Sequence, residues 1–506
     1  MSTKKNEELW FVTGSQELYG PKTLKQVADH SREIAAHLDA TLPVRVVWKP
    51  TLKSPEAITE MCLEANSSPA CVGVITWMHT FSPAKMWVNG LNQLGKPLAH
   101  LHTQFNRELP WSEIDMGFMN LNQSAHGDRE YGFLLARLRL DRKIVVGHWQ
   151  DPEVISDLQS WSRVACAVTE SRKLKIVRFG GMNMREVAVT GGDRLEAQIQ
   201  LGWATNGFGV GDLVARLAEV RDAEIDQVVE EYEAKYTIAP ELRANGARRE
   251  SLRYAARQEI GLRSFLTEGN YGAFTTTFED LHGLQQLPGL ACQRLMADGY
   301  GFGAEGDWKA AGLVRLMKVI AAGSPKGGVS FMEDYTYHLV KGQETILGAH
   351  MLEICPSITE EKPSLEIHAL TIGGKDDPCR LVFNAAPGSA VTASIIDIGG
   401  RMRMVVQEMD AVAAEHSMPK LPVARALYRP RPDFRRACQA WLMAGGAHHT
   451  SFSQAVTGEQ MSDLASMLGI ECIRIGDRTD LAALSNELRW NDAAYKLGRA
   501  GARGSR

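Results

Sequence analysis

The stretch LWFVTGSQELYG, residues 9–20, decides the fold class of the first third of the chain. LWFVTG (9–14) is apolar throughout and predicts a buried strand, which the glycine-containing turn GSQELYG connects to a helix. The apolar residues of that helix fall on one face: Leu24, Val27, Ile34 and Leu38. A buried strand followed at once by an amphipathic helix is typical of a parallel α/β sheet.

The same alternation continues after this first unit. Strand-like segments recur as PVRVVWK (43–49), CVGVITW (71–77), PLAHLH (97–102), KIVVGHW (143–149) and LKIVRFG (174–180). Between them SPEAITEMCLEA (54–65) predicts a helix, with Ser54 as its N-cap and Pro55 at its first position. Strands that alternate with helices of this length indicate a doubly wound, mainly parallel sheet.

The predicted secondary structure changes at two points in the rest of the chain. Helical patterns dominate residues 181–326 and predict a second, smaller α/β unit; beyond 327 the segments are β-rich, short and broken by Gly, Pro and Asp. Such a pattern of short strands is typical of an antiparallel barrel or sandwich. We therefore predict an α/β protein: two doubly wound α/β domains followed by a β-rich, barrel-like C-terminal domain. The predicted boundaries are 1–176, 177–326, 327–498 and a mobile tail at 499–506.

Composition limits the classes of function. The 506 residues are 44% hydrophobic and 23% charged, with a net charge of −4, which gives no general attraction to nucleic acid or to an anionic membrane. No segment approaches the roughly 20 apolar residues that span a bilayer, and the first residues lack the apolar core of a signal peptide. We expect a cytoplasmic protein without nucleic-acid or membrane partners.

The eight cysteines are scattered and form no CxxC pair. This spacing argues against a zinc ribbon and against a disulfide framework. We expect most of them to be reduced core residues.

Several polar residues are predicted at the carboxyl ends of strands, where open α/β sheets bind ligands. The turn after the first strand lacks the phosphate-binding glycine patterns, but it carries Gln16 and Leu18. His79 and His102 each follow a strand, and His126 precedes a predicted helix. A single histidine of this kind is more often structural, but several together favour a polar cleft.

A more specific set lies in the second half of the chain. Glu305 stands between small residues in GFGAEGDWK, Glu333 lies at a predicted strand end in SFMEDYTYH, and His350 lies in the strand-like ILGAHMLE. AGGAHHT (444–450) adds His448 and His449. Buried carboxylates and imidazoles need partners that offset their desolvation. A divalent metal ion is one such partner, and two carboxylates with one or two imidazoles suit Mn²⁺ or a related ion better than structural zinc.

These residues belong to longer blocks that resemble one enzyme family. The blocks include WFVTGSQELYG, HTFSPAKMW, LHTQFN, MNLNQSAHGDRE, TTTFEDLHGL, AEGDWK, SFMEDYTYH, LGAHMLE, IGGKDDP and AGGAHHT, and they extend over about residues 8 to 495. Their length and order resemble the L-arabinose isomerase family of bacterial aldose–ketose isomerases. Two loops depart from the family pattern, FGGMNMRE (179–186) and AAGSPKGGVS (321–330).

The resemblance implies a ligand set and a substrate pocket. It implies that one Mn²⁺ ion per subunit, or another divalent ion such as Co²⁺, is bound by Glu305, Glu333, His350 and His449. It also implies residues that surround the sugar: Gln16, Leu18, Met184, Phe278, Ile372 and His448, with His126 near the entrance. Core packing is an equally good explanation for the apolar members of this set.

The resemblance further implies the reaction and the assembly. The expected activity is conversion of L-arabinose to L-ribulose through a cis-enediol, with D-galactose to D-tagatose as a second reaction. Glu305 and Glu333 would be catalytic, one as base and one as acid, in an order that the sequence leaves open. A homotrimer or homohexamer is implied, in which a neighbouring subunit contributes the region of Gln16 and His126 to each active site.

Two other functions compete with isomerisation. The same ligands could activate water in a metal-dependent hydrolase or lyase, which a test for ketose formation without net water uptake would distinguish. A sugar-binding protein with two α/β lobes is a non-enzyme alternative. Such proteins are usually exported, and the β-rich third domain would have no role in one.

Overall fold

The computed structural model describes residues 6–181, 184–325 and 327–502, with side chains to residue 496. The chain forms two compact units, residues 1–169 and 170–506. The second unit contains both the predicted central and the predicted C-terminal domain. The predicted boundaries after residues 176 and 326 therefore stay predictions.

The first unit alternates strands and helices. Its strands are β1 Glu8–Gly14, β2 Arg45–Trp48, β3 Cys71–Met78, β4 Leu98–His102 and β5 Lys143–Val146. Its helices are α1 Gly20–Thr41, α2 Pro55–Ser67, α3 Val88–Leu91, α4 Met116–Leu121, α5 Ser124–Arg137 and α6 Pro152–Ser171, the last of which continues into the second unit.

All five strands of this unit are parallel, in the order β2-β1-β3-β4-β5. This is a doubly wound order whose direction reverses between β1 and β3, so the prediction from residues 9–20 is confirmed. β3 is buried along its whole length, as expected for a strand covered by helices on both faces. The Ser54 hydroxyl accepts a hydrogen bond from the Ala57 amide, which confirms it as the N-cap of α2.

The central part of the chain adds a second parallel sheet. The central part contains five strands among the described residues: β6 Lys175–Phe179, β7 Ala204–Phe208, β8 Thr237–Ile238, β9 Ala273–Thr276 and β10 Gly301–Gly303. Its helices are α7 Arg194–Leu201, α8 Val210–Ala218, α9 Asp222–Lys235, α10 Arg249–Glu268, α11 Gly289–Ala297 and α12 Trp308–Ala321. Four of the strands form the sheet, in the order β10-β9-β6-β7.

The last part of the chain is rich in strands, as predicted. They are β11 Val329–His338, β12 Thr345–Ala349, β13 Ser364–Ile367, β14 Cys379–Val382, β15 Gly388–Asp397, β16 Met402–Val412, β17 Arg425–Pro430, β18 His449–Ser453 and β19 Glu471–Ile475. Three helices accompany them: α13 Phe434–Ala444, α14 Gly458–Leu468 and α15 Leu481–Ala502.

Seven of these strands form one sheet that closes on itself. The order is β15-β18-β11-β12-β17-β16-β19, and β16 also pairs with β15, so six strands make a closed ring. Pairing around the ring is antiparallel, and β19 adds to β16 in parallel. β13 and β14 form a separate small sheet with β8 of the central region. One apolar core joins α9, α10 and α11 to strands of both later sheets, which explains why residues 170–506 form a single unit.

Four further observations bear on the sequence predictions. All eight cysteines are free, and six are buried, as expected. The mobile tail predicted at 499–506 is helical at 499–502, as the end of α15, and its remaining residues lie outside the described residues. The two departing loops contain residues 182–183 and 326, which also lie outside that part of the chain. No helix of the described chain is both long and apolar enough to cross a membrane.

Two glycines allow β10 to approach α12 closely. A Cβ on Gly301 would lie 2.1 Å from the carbonyl oxygen of Ala311, and one on Gly303 would lie 2.2 Å from that of Asp307. Both carbonyl oxygens belong to the backbone of α12 or of the turn before it, which cannot move aside without shifting the helix. The turn between strand and helix therefore has a fixed position.

We predict that Gly303→Ala lowers the free energy of unfolding by about 1–3 kcal/mol, because the added methyl group overpacks the β10–α12 contact. Chemical denaturation measures this. The matched control is Gly211→Ala in α8, where an added Cβ meets nothing within 4 Å. This control is expected to leave the free energy unchanged or to raise it by up to about 1 kcal/mol. Equal effects of the two substitutions would contradict the packing argument.

Candidate active site

β11 brings three of the predicted ligands together through its strand register. Glu333 pairs with His449 of β18 on one side and with Ala349 of β12 on the other. Residues directly opposite on neighbouring strands have Cβ atoms about 5 Å apart, and His350 follows Ala349 directly. Glu333 thus lies inside β11 rather than at a strand end, and His350 lies just past β12 rather than within it. Both positions correct the sequence prediction.

Glu305 reaches the same place from the turn between β10 and α12. Its φ is +59°, a left-handed backbone conformation that is uncommon for residues other than glycine, and Gly306 follows with a φ of +78°. Such a conformation persists only where the surrounding structure enforces it. The Glu305 carboxylate oxygen lies 3.6 Å from Nε2 of His449.

His449 is oriented by a carboxylate behind it. The Asp307 side chain caps α12 by accepting hydrogen bonds from the amides of Lys309 and Ala310. Its other oxygen lies 3.2 Å from Nδ1 of His449, which can donate to it. This contact directs Nε2 toward Glu305. His449 is 1% exposed, and its buried Nε2 has no hydrogen-bond partner among the residues that the structure describes.

His350 has the same arrangement. Its Nδ1 lies 2.5 Å from the carboxylate of Glu353, three residues further along the chain. Its Nε2 lies 3.9 Å from a carboxylate oxygen of Glu333. Each imidazole therefore has a carboxylate on Nδ1 and presents Nε2 to a glutamate, as in carboxylate–histidine–metal arrangements.

Phe331 packs against both imidazoles. Its ring centroid lies 5.1 Å from that of His350 and 5.1 Å from that of His449, and both contacts are edge-to-face. The imidazole centroids themselves are 6.3 Å apart. The phenyl ring limits the rotation of both histidines and lines the site with an apolar surface.

Burial dominates the electrostatics of the site. It raises the pKa of Glu333, and it lowers the pKa of the half-buried His448 to about 4, with a further contribution from repulsion by His449. Burial also opposes the charged form of His350, but the carboxylates of Glu353 and Glu333 outweigh it and raise the pKa of that imidazole. His350 thus lies in a strongly negative environment that favours a positive charge.

The residues fit a divalent metal ion. Ligand atoms of Glu305, His350 and His449 lie within 4.8 Å of one another, and so do those of Glu333, His448 and His449. His449 belongs to both groups, and its buried Nε2 needs a partner that no side chain in the described part of the chain supplies. Two imidazole nitrogens with carboxylate oxygens form a donor set suited to Mn²⁺, Co²⁺ or Zn²⁺.

The small residues before the histidine pair have structural roles. Gly445 ends α13 in a left-handed conformation with a φ of +78°. A Cβ on Gly446 would lie 2.3 Å from the indole ring of Trp441. These residues terminate a helix and accommodate a tryptophan, and in this way they position the start of β18.

Three residues expected at the sugar lie in other loops of the second unit. Met184 and Phe278 are half-buried, Phe278 in a 3₁₀ turn, and Ile372 is 37% exposed. Contact of these side chains with a sugar stays a prediction.

Three more of the expected residues belong to the first unit, and the seventh, His448, precedes β18. Gln16 donates a hydrogen bond to the carbonyl of Phe81, and the exposed His126 stacks on the Phe81 ring at 4.8 Å. His126 lies in the first turn of α5 rather than before it. Leu18 is 81% exposed, which is unusual for a leucine and leaves its side chain available to a partner.

Sequence reasoning missed Asp307 and Glu353. Both lie in quoted motifs, AEGDWK and LGAHMLE, two residues after Glu305 and three after His350. The signal in the sequence was a carboxylate two or three residues after a candidate ligand. In the folded structure Asp307 contacts Nδ1 of His449 and Glu353 contacts Nδ1 of His350, and the sequence does not show these pairings.

Three domain families match almost the whole chain. They are the L-arabinose isomerase N-terminal domain over residues 3–173, the central domain over 175–323 and the C-terminal domain over 328–471. The L-arabinose isomerase of Geobacillus stearothermophilus is 60% identical over 491 residues, 97% of this chain and 98% of its own. That of Koribacter versatilis is 60% identical over 495 residues, with the same coverage. L-arabinose isomerase 1 of Bacillus licheniformis is 54% identical over 498 residues, 98% of this chain and 99% of its own.

We predict that Mn²⁺ raises the melting temperature of the metal-stripped protein, because an ion that binds only the folded state stabilises it by mass action. At an ion concentration 100 times the Kd the gain is about 2.7 kcal/mol. Differential scanning fluorimetry with and without a chelator measures the shift. His449→Gln should reduce it, whereas the exposed His126→Gln should not. An identical shift in both variants would place the responsible ion elsewhere.

Proposed function

Because the chain belongs to the L-arabinose isomerase family and is an aldose–ketose isomerase acting on arabinose, we propose that its site works with one divalent metal ion. Glu305, Glu333, His350 and His449 would hold that ion. The observation that carries this proposal is the buried Nε2 of His449, which lies beside a glutamate carboxylate and has no hydrogen-bond partner within the described ranges. We propose Mn²⁺ as the ion, with Co²⁺ as a substitute.

The reaction moves one proton between adjacent carbons of the open-chain sugar. The proton on C2 of L-arabinose lies beside the C1 carbonyl and is only weakly acidic, so its removal requires stabilisation of the developing enediolate. When bound, the divalent ion supplies Lewis-acid polarisation of neighbouring sugar oxygens. One of the two glutamates, as the carboxylate, takes the proton from C2, while the other, as the carboxylic acid, gives its proton to O1, which gives a cis-enediol.

Collapse of the cis-enediol gives the ketose. The O2 hydroxyl gives its proton to the glutamate that protonated O1 as the C2 carbonyl forms, and C1 receives the proton that the other glutamate took from C2. Glu305 and Glu333 share these transfers, and the net change is L-arabinose to L-ribulose without uptake of water. His448 lies next to His449, with ring centroids 4.3 Å apart, and we assign it a hydrogen bond to a sugar hydroxyl.

We also propose which residues line the rest of the pocket and how the subunits assemble. Met184, Phe278 and Ile372 would contact the sugar, together with Gln16, Leu18 and His126. The last three would come from a neighbouring subunit of a cytoplasmic homotrimer or homohexamer. The exposure of Leu18 and His126 supports this, since both side chains are accessible to another subunit. D-Galactose has the same configuration near C1 and C2, so its conversion to D-tagatose is a second proposed activity.

We predict that Glu305→Gln and Glu333→Gln each lower kcat for L-ribulose formation by about 10²–10⁴-fold, since an amide cannot transfer the proton. Ketose formation is assayed with a panel of pentoses and hexoses at saturating Mn²⁺, and bound metal is measured in parallel. The exposed Glu360→Gln is the matched control and should retain activity. Near-normal turnover in both site variants, with metal bound, would disprove the two-carboxylate scheme.

We predict a different effect for the two carboxylates behind the imidazoles. Asp307→Asn and Glu353→Gln should weaken Mn²⁺ binding by about 10–100-fold, because the histidines lose the partners that orient them. Saturating Mn²⁺ should restore much of kcat, which a lost acid or base would not allow. Titration of activity against free Mn²⁺ measures both quantities. Unchanged Mn²⁺ affinity in both variants would remove their orienting role.

A further inference from the structure

A second cluster of metal-ligating side chains lies in the first unit. His100 and His102 are two residues apart on β4, so their side chains project from the same face of the strand. Asp128 lies in the second turn of α5, the helix that covers this face. The cluster belongs to a different compact unit from Glu305, Glu333, His350 and His449.

The three side chains meet at the carboxylate of Asp128. Nε2 of His100 lies 2.7 Å from one oxygen of Asp128, and Nδ1 of His102 lies 2.5 Å from the other. The side chains of Asp128 and His100 are 2% and 5% exposed, whereas that of His102 is 36% exposed. The cluster is therefore closed on the His100 side and open to solvent beside His102.

The charge of Asp128 requires compensation. In the part of the chain that the structure describes, its carboxylate makes ion pairs with the two imidazoles and with no lysine or arginine. A buried carboxylate without a cationic partner is costly, and neutral imidazoles supply hydrogen bonds but no charge. Either a proton on an imidazole or a bound cation must provide the missing positive charge.

We propose that His100, His102 and Asp128, all in the first unit, form a second divalent-cation site. One nitrogen from each imidazole and an oxygen of Asp128 supply three ligands, and water reaches the remaining positions from the His102 side. A donor set with two imidazoles and a single carboxylate favours Co²⁺, Ni²⁺ or Zn²⁺ over Mn²⁺, following the usual order of affinities for nitrogen ligands. The isomerase centre, with its two glutamates, is better matched to Mn²⁺.

Counting bound Co²⁺ in the full chain tests this site. The protein is stripped with a chelator, titrated with Co²⁺, and the bound metal is counted by calorimetry and elemental analysis. We expect two equivalents per chain in the unsubstituted protein and one in Asp128→Asn or His102→Gln. Asp141→Asn is the matched control, an exposed aspartate of the same unit, and should still bind two.

A third variant separates this proposal from the one for the isomerase centre. His449→Gln should retain one equivalent of Co²⁺, and the double variant with Asp128→Asn should retain none. Because His102 is partly exposed, His102→Gln is expected to keep the native fold even if Asp128→Asn does not, which circular dichroism checks. Loss of all Co²⁺ binding in His449→Gln alone would overturn the second site. Retention of full binding by a folded His102→Gln would overturn it as well.

Discussion

The contact between Asp307 and His449 joins the two parts of the second unit at the site. Asp307 caps α12, the helix that follows the glycine-rich strand β10, and accepts from Nδ1 of the imidazole that begins β18. Burial opposes ionisation of this carboxyl group, but Lys309 and His449 overcome that effect and lower its pKa. One carboxylate thus fixes the end of a helix, the orientation of a histidine and, through the turn before it, the position of Glu305. The geometry of the candidate metal centre depends on that contact.

Closure of the β-ring supplies the second constraint. β11 is held between β12 and β18, so its register with both neighbours is determined by a ring that has no free edge at this point. A slip of one residue would turn Glu333 to the opposite face of the sheet and remove it from His449. The ligands are far apart in sequence, but their side chains project from rigid elements, which favours a preorganised site.

The sequence predicted the fold well where its signals are local. The apolar run at 9–14 and the capping residue Ser54 encode a strand and a helix within a few residues, and both predictions were confirmed. The closed order of the C-terminal strands depends on pairings such as β15 with β16 and with β18, and no local pattern contains that information. Residue types suggested Glu305, Glu333, His350, His448 and His449 as candidate ligands, and the family resemblance implied the set of four that contains His449. The roles of Asp307 and Glu353 depend on which imidazole nitrogen each one meets, and only the folded structure contains that geometry.

The central claim is that Glu305, Glu333, His350 and His449 share one divalent ion. Anomalous diffraction from crystals of the Mn²⁺-loaded protein, recorded on both sides of the manganese absorption edge, tests it most directly. Our account predicts a single strong manganese peak in each subunit within about 2.0–2.3 Å of Nε2 of both histidines and of oxygens from both glutamates. A peak that contacts none of these four side chains, or no peak at this position at saturating Mn²⁺, would contradict the account.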